Sequence, residues 1–83
     1  MIHHHQFVDA KGLKCPQPLL LTKQAFKQLG NQQVLLLEAT DAHTDLDLQV
    51  WCQRFGHDLI HSEENSGICR FWLKKNTTIK NPE

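Results

Sequence analysis

The stretch VDAKGLKCPQPLLL, residues 8–21, decides the fold of this 83-residue chain because it joins a strand end, a turn and a helix start. Two prolines separated by one residue would break a helix interior. In the first turn of a helix, however, their missing N–H groups are not needed and their fixed φ is already helical. The spacing therefore predicts a helix that begins at Pro16, with Cys15 at its mouth and a turn at Gly12 before it.

Cys15 has the surroundings of a reactive thiol. At a helix start it meets the positive end of the helix dipole and the first-turn amides, and Lys11 and Lys14 add positive charge nearby. These influences predict a pKa below the ~8.5 of a free thiol. A buried structural cysteine is the alternative, but the doubled proline and the lysines favour reactivity. Because Pro18 stands where a Cys-x-x-Cys motif has its second cysteine, no local disulfide can form.

The remaining pattern predicts the order β-α-β-α-β-β. Turn residues and apolar periodicity place these six elements at about residues 7–8, 16–29, 34–39, 45–55, 59–63 and 68–74. Right-handed βαβ crossovers put both helices on the same side of a sheet. The fold class is therefore α+β, a two-layer sandwich with a four-stranded mixed sheet and two helices on one face.

Apolar side chains at helical or alternating spacing identify the core. The predicted core positions are Leu19, Thr22, Ala25, Phe26 and Leu29 in the first helix, Leu48, Trp51, Cys52 and Phe55 in the second, and Cys69, Phe71 and Leu73 in the last strand. Cys52 and Cys69 are therefore expected to be unreactive. Leu20 and Leu21 lie off the first stripe, where either an exposed apolar patch beside the thiol or a widely buried helix fits.

Polar residues near the second helix have structural interpretations. Thr44 and Asp47 match a T-x-x-D capping box, in which Thr44 is the N-cap and Asp47 accepts from its amide. Capping therefore explains Asp47 better than chemistry does. His57 begins a strand, where a solvated surface histidine is expected rather than a catalytic base for Cys15.

Residues 8–18 resemble the signature of the TusA/SirA-like sulfur-carrier family. The segments 41–52, 56–57 and 68–73 also resemble its layout, so the similarity covers about residues 6–75. The resemblance implies the strand order 1-2-4-3 and a persulfide carried on Cys15. Sulfur would come from a protein donor such as a cysteine desulfurase and pass to an acceptor protein, for tRNA thiolation or related sulfur trafficking. The chain departs from the family pattern at two places. Gln17 stands where many members have Glu, and residues 19–21 are all leucine where members often have polar residues. Both differences bear on which partner protein docks.

The resemblance also suggests supporting roles around the thiol. Asp9 is expected to order the reactive loop through Asx-type bonds. Asp41 and Asp47 stand where the family commonly has acids, on the same side of the domain as the thiol. The complete set of candidate site residues is Cys15 as catalytic residue, with Asp9, Lys11, Gly12, Lys14, Pro16 and Pro18 as support and Asp41 and Asp47 as possible positioning residues.

Composition restricts the class of protein. The length suits one domain, residues 1–83, with a core at about 6–75 and flexible ends at 1–5 and 76–83. Nine basic and nine acidic side chains cancel, which argues against nucleic-acid or membrane binding. Three cysteines at irregular spacing and the lack of a long apolar run predict a protein of the reducing cytoplasm. We also expect a monomer. We expect protein partners and neither cofactor nor metal, although the histidines at 3–5 could bind a metal adventitiously.

Two functions from different classes fit these observations. The first is a sulfurtransferase in which the Cys15 thiolate takes up sulfane sulfur from a donor persulfide and presents it to an acceptor cysteine. The second is a non-catalytic regulatory or adaptor module, in which the Cys-Pro-x-Pro turn only shapes a protein-binding surface.

Overall fold

The predicted architecture is confirmed in a computed structural model, which describes residues 3–76; the flexibility expected for residues 1–2 and 77–83 concerns segments outside the described residues. The elements are β1 (Gln6–Ala10), α1 (Gln17–Phe26), β2 (Val34–Ala39), α2 (Thr44–Phe55), β3 (Asp58–Asn65) and β4 (Ile68–Lys74). They form one four-stranded sheet of order β1-β2-β4-β3. β1 and β2 are parallel, and β4 is antiparallel to β2 and β3.

Helix α1 is shorter than predicted at both ends. It begins at Gln17 because Pro16, with φ −99° and ψ 17°, is the N-cap rather than a helical residue. It ends at Phe26 because the next three amides bond to carbonyls three residues earlier, which tightens the last turn into a 3₁₀-like geometry. The chain continues in this turn as far as Leu29, which is buried as predicted.

The capping box predicted for α2 is wrong. The N-cap is His43, and it makes no side-chain cap bond. Thr44 is the first helical residue, and its buried Oγ1 has no hydrogen-bond partner within residues 3–76. The Asp47 carboxylate does not accept from the Thr44 amide, which donates instead to the Asp41 carbonyl at 3.1 Å. Gly56 ends the helix as predicted, with the left-handed φ of 78° that glycine adopts at little cost.

The core lies between the helices and the inner face of the sheet, and most of its predicted members are buried there. Leu35, Leu37, Leu48 and Leu73 have no exposed surface. Three predictions of full burial are too strong: the side chains of Leu19, Phe55 and Cys69 are only half-buried, although they pack against the core. Pro18 lies one helical turn before Thr22 on the inward face of α1 and is also fully buried.

His57 is half-buried, so the prediction of a solvated surface histidine is wrong. Its ring lies 4.8 Å from the Phe26 ring and 4.9 Å from the Trp51 ring. Its Nδ1 accepts from the Asn76 amide at 3.2 Å. At the other end of the described chain, the His5 amide donates to the Val34 carbonyl at 2.7 Å. Sheet and ring contacts therefore include residues 5 and 76, one residue beyond each end of the expected core.

The β3–β4 hairpin has a longer first strand and a shorter turn than predicted, whereas β4 has the predicted bounds. Ser66 and Gly67 alone connect the strands, with φ values of 54° and 82°. Positive φ at both positions defines the two-residue turn whose twist matches that of paired strands. The pairing shifts register between Leu59 and His61, which places a β-bulge at Ile60 in the outer strand.

The outer face of the sheet has a row of charged side chains at matching register on all four strands. Asp9, Glu38, Arg70 and Glu63 occupy β1, β2, β4 and β3 in turn. Glu38 accepts from Lys11 Nζ at 2.8 Å and from Arg70 Nε at 2.7 Å, and both bonds lower the pKa of its carboxyl. Half-buried Trp72 lies beside this row, 5.1 Å from the His61 ring, as expected for a side chain that covers the sheet.

The parallel pairing of β1 and β2 determines where a site can form. The carboxyl ends of parallel strands lie at the same edge of a sheet. The loops after β1 and β2, residues 11–16 and 40–43, therefore lie side by side, and each leads into a helix start.

No helix within the described residues 3–76 has the length and apolar character that a membrane span requires.

We predict that alkaline pH destabilises the fold through Cys52. Burial raises the pKa of this thiol from about 9 to about 12. Between these values the unfolded chain loses a proton that the folded chain keeps, so stability falls as pH rises through this window. Urea unfolding from pH 8 to pH 11 should show a smaller decrease for Cys52→Ala than for the unmutated chain. A Leu48→Val variant, destabilised elsewhere in the core, should keep the full decrease; equal slopes for all three would contradict the prediction.

We also predict that Lys75 stabilises the end of α1. Its Nζ donates to the carbonyls of Phe26 and Leu29, at 2.5 and 2.8 Å. Bonds from a charged donor contribute about 1.5–3 kcal/mol. Lys75→Ala should lower the free energy of unfolding by about 1–3 kcal/mol in urea titrations. The neighbouring change Lys74→Ala serves as the control, and a similar loss in both variants would rule out this role.

Candidate functional site

Cys15 lies exposed in the loop between β1 and α1. Its loop and the one after β2 bound a surface cavity of about 590 Å³. The cavity is lined by Gly12, Leu13, Lys14 and Cys15 from the first loop and by Thr40, Asp41, Ala42 and His43 from the second. The structure thus brings the predicted thiol and the predicted Asp41 together at the edge where β1 and β2 end.

Asp41 joins the two loops. Its Oδ2 accepts from the Cys15 amide at 2.6 Å, and its Oδ1 accepts from the His43 amide at 2.9 Å. These backbone bonds hold the pKa of the Asp41 carboxyl below its ordinary value, so the group is an anion at neutral pH. A second bond, from the Gly12 amide to Thr40 Oγ1 at 2.9 Å, links the loops again. Asp41 therefore fixes the backbone of the reactive cysteine.

Asp47 contacts the thiol itself. Cys15 Sγ donates to Asp47 Oδ2 at 2.6 Å across the gap between the two helix starts. This hydrogen bond, partial burial and the charges of Asp47 and Asp41 together raise the pKa of the Cys15 thiol. The prediction of a lowered pKa is therefore wrong, and the thiol of the empty site is protonated at neutral pH.

The two prolines explain part of this difference. A helix mouth stabilises a thiolate through N–H groups of its first turn. Pro16 and Pro18 have no N–H, and the Gln17 amide donates to the Lys14 carbonyl at 2.8 Å. The residues that hold Cys15 at the helix start thus remove or occupy donors that the sequence argument counted on.

Of the two lysines predicted to lie beside the thiol, Lys14 does so and Lys11 does not. Lys11 turns away from the thiol and pairs with Asp9 and Glu38, at 3.0 and 2.8 Å, and both bonds raise its pKa. Lys14 lines the cavity beside Cys15. The expected Asx-type bond is present, since the Lys11 amide donates to Asp9 Oδ1 at 3.0 Å. Asp9 and Lys11 therefore support the loop rather than the charge of the thiol.

The other two cysteines are shielded. Cys52 is 4% exposed, and burial raises its pKa to about 12. Cys69 is half-buried against the core, and burial raises the pKa of its thiol as well. Cys15 is the one exposed cysteine of the three in the chain.

An apolar groove runs between α1 and α2 from the site. Its volume is about 430 Å³, and its lining consists of Leu19, Lys23, Leu46, Asp47, Val50, Trp51, Arg54 and Phe55. Of the two arrangements considered for the leucine run, Leu20 is exposed while Leu21 packs partly against the core. Leu46 and Val50 are 62% and 56% exposed. The sequence analysis did not identify them, although two apolar residues four apart and off the buried stripe are a readable signal.

No group of three or more histidine, cysteine, aspartate or glutamate side chains in the described part of the chain, residues 3–76, is placed to hold a metal ion.

Known proteins resemble this chain in sequence and in fold. The family model described as "Sulfurtransferase TusA" matches residues 6–75, and the chain belongs to that family. YrkI from Bacillus subtilis (strain 168) is 41% identical over 68 residues, which cover 82% of this chain and 91% of that protein. Sulfur carrier protein TusA from Pseudomonas putida is 34% identical over 68 residues, covering 82% and 85%. The crystal structure of a SirA-like protein from Desulfitobacterium hafniense has the same fold, with a TM-score of 0.72 at 22% identity, covering 87% of this chain and 99% of that one.

We predict that Asp41→Asn loosens the Cys15 loop. The amide has one acceptor oxygen where the carboxylate uses two, so at least one of the two backbone bonds is lost. A charge-assisted bond contributes about 1.5–3 kcal/mol, so exchange of the Cys15 or His43 amide with solvent should accelerate about tenfold or more. Hydrogen exchange followed by NMR measures this, with Asp45→Asn as the control. Unchanged exchange at both amides would exclude the proposed clamp.

Proposed function

We propose that the chain is a persulfide carrier, which accepts sulfane sulfur on Cys15 from a protein donor such as a cysteine desulfurase and passes it to an acceptor protein. One observation carries the proposal: Cys15 is exposed in a loop fixed by Asp41, while Cys52 and Cys69 are shielded by the core. Membership of the TusA sulfurtransferase family supports sulfur relay in general.

The transfer is an exchange between thiol and persulfide. The Cys15 sulfur attacks the outer sulfur of a donor persulfide, R–S–S–H. A bond forms between Sγ and that sulfur, the donor S–S bond breaks, and the donor thiolate leaves and takes up the proton that Cys15 loses. The same exchange in the opposite sense delivers the sulfur to an acceptor cysteine. Because one sulfane sulfur moves between two thiols, the step needs neither an oxidant nor a metal.

The groove between α1 and α2 is the proposed docking surface for both partners. It begins at Asp47, next to the thiol, and has exposed Leu46 and Val50 on its α2 side. An apolar surface beside the sulfur excludes water when two proteins meet and aligns their cysteines. Lys23 and Arg54 on its rim favour an acidic partner surface.

We also propose where the sulfur goes. Sulfur delivery for tRNA thiolation, or related sulfur trafficking in the cytoplasm, is the proposed role, and family membership supports it. RNA itself is not the proposed ligand because positive and negative charges on this chain balance. The alternative, a non-catalytic adaptor, uses the same surface without sulfur on Cys15.

We predict that Cys15→Ser abolishes sulfur loading and leaves the fold intact, because Cys15 is exposed. After incubation with a cysteine desulfurase and cysteine, intact-mass spectrometry should show one added sulfur atom on the unmutated chain and none on Cys15→Ser. The matched control Cys52→Ser should still load, although a hydroxyl in the core lowers its stability by about 1–3 kcal/mol. An unmutated chain that takes up no sulfur would support the adaptor, and sulfur on Cys52 or Cys69 would refute the site.

A further inference from the structure

The hydrogen bond between Cys15 and Asp47 suits one chemical state of the sulfur. An ionised carboxylate only accepts hydrogen bonds, so the 2.6 Å contact requires a proton on Cys15 Sγ. Asp47 is half-buried in the first turn of α2. The Thr44 amide, its predicted capping partner, donates to the Asp41 carbonyl, and the Asp47 carboxylate accepts from the thiol instead.

A loaded carrier presents different chemistry at this position. The proton of an S–S–H group is more acidic than that of a thiol because the second sulfur helps to stabilise the negative charge. At neutral pH the persulfide is therefore an anion without a proton to donate. Two carboxylates, Asp47 from α2 and Asp41 from the loop before it, then face a like charge. Like charges within a few ångström repel one another.

We propose that Asp47 is a positioning residue that anchors the Cys15 thiol while the carrier is empty and repels the sulfur once it is a persulfide anion. This inference rests on the persulfide-carrier function proposed above. The loaded sulfur leaves the carboxylate and becomes available to an acceptor, whereas the empty thiol stays neutral and held.

The other charged groups around the thiol agree with this assignment. Lys14, which lines the same cavity as Cys15, is a cation toward which the repelled anion can turn. His43 also lines the cavity, and its ring Nδ1 lies 3.2 Å from Asp41 Oδ1. Lys11, the remaining cation of the loop, is paired with Asp9 and Glu38. The two carboxylates nearest the sulfur, Asp41 and Asp47, therefore both oppose a negative charge on it.

Asp47 does not act as a general base in this scheme. An ordinary carboxyl group is about 10⁴-fold or more stronger as an acid than an ordinary thiol. Transfer of a thiol proton to an ordinary carboxylate is unfavourable by the same factor. The proton leaves Cys15 for the departing donor thiolate, as in the balanced exchange above.

The first test compares the empty thiols of Asp47→Asn and the unmutated protein. Iodoacetamide labelling of Cys15 is followed by peptide mass spectrometry between pH 6 and pH 10. In Asp47→Asn the midpoint should fall and the rate at pH 7 should rise at least threefold, because one carboxylate no longer holds the proton. Asp45→Asn is the matched control, since Asp45 lies in the same first turn but bonds to Gln49. Unchanged Asp47→Asn, or an equal change in the control, would overturn the proposal.

The second test uses the loaded carrier. Each protein is loaded with sodium tetrasulfide, and the persulfide on Cys15 is labelled at pH 7. Because repulsion by Asp47 makes the loaded sulfur available, the persulfide of Asp47→Asn should label about twofold or more slowly than that of the unmutated protein, the reverse of the change in the empty thiol. A persulfide that labels equally in both proteins, or faster in Asp47→Asn, would show that Asp47 does not release the loaded sulfur.

A third measurement needs no variant. In the unmutated protein, the ¹³C signal of the Asp47 carboxyl should shift as the Cys15 thiol ionises, and that of Asp45 should not. This result decides the contact even if Asp47→Asn fails to fold. If Cys15 takes up no sulfur from the desulfurase, the persulfide-carrier function fails. The positioning role of Asp47 fails separately, if the pH midpoint of Cys15 labelling in Asp47→Asn equals that of the unmutated protein.

Discussion

The parallel pairing of β1 with β2 is the constraint on which the site depends. It places the ends of both strands at one edge of the sheet, so that two loops and two helix starts meet there. Asp41 then turns this proximity into a fixed geometry through its bonds to the Cys15 and His43 amides. Cys15 is thus held by the loop after β2, although it belongs to the loop after β1.

The chemistry of the site follows from which groups this pairing brings together. Two carboxylates approach one thiol, and the helix that begins beside it has prolines where thiolate-stabilising amides are expected. The result is a neutral thiol held by a hydrogen bond, unlike the low-pKa cysteine of a typical redox helix. A protonated thiol of this kind reacts more slowly with electrophiles than a thiolate does.

The order of elements, most of the core positions and the place of Cys15 before a helix start were predictable because each depends on local spacing. Proline pairs, apolar periodicity and glycine turns are written in neighbouring residues. The charge state of Cys15 was not predictable in this way, since it depends on Asp47, thirty-two positions away. Long-range contacts also explain the wrong capping box: Thr44 and Asp47 have the right spacing, but the Thr44 amide donates to the Asp41 carbonyl and the Asp47 carboxylate accepts from Cys15. The burial of His57 was likewise not predictable from its place at a strand start, because it depends on ring contacts with Phe26 and Trp51.

The bulge in β3 has a consequence for how the molecule behaves in a crowded solution. β3 is eight residues long and forms an edge of the sheet, so its free backbone groups could template another chain. The register shift near Ile60 interrupts the regular spacing of those groups, and Glu63 and Glu64 beyond it add negative charge. Strand addition at this edge of the sheet is therefore disfavoured.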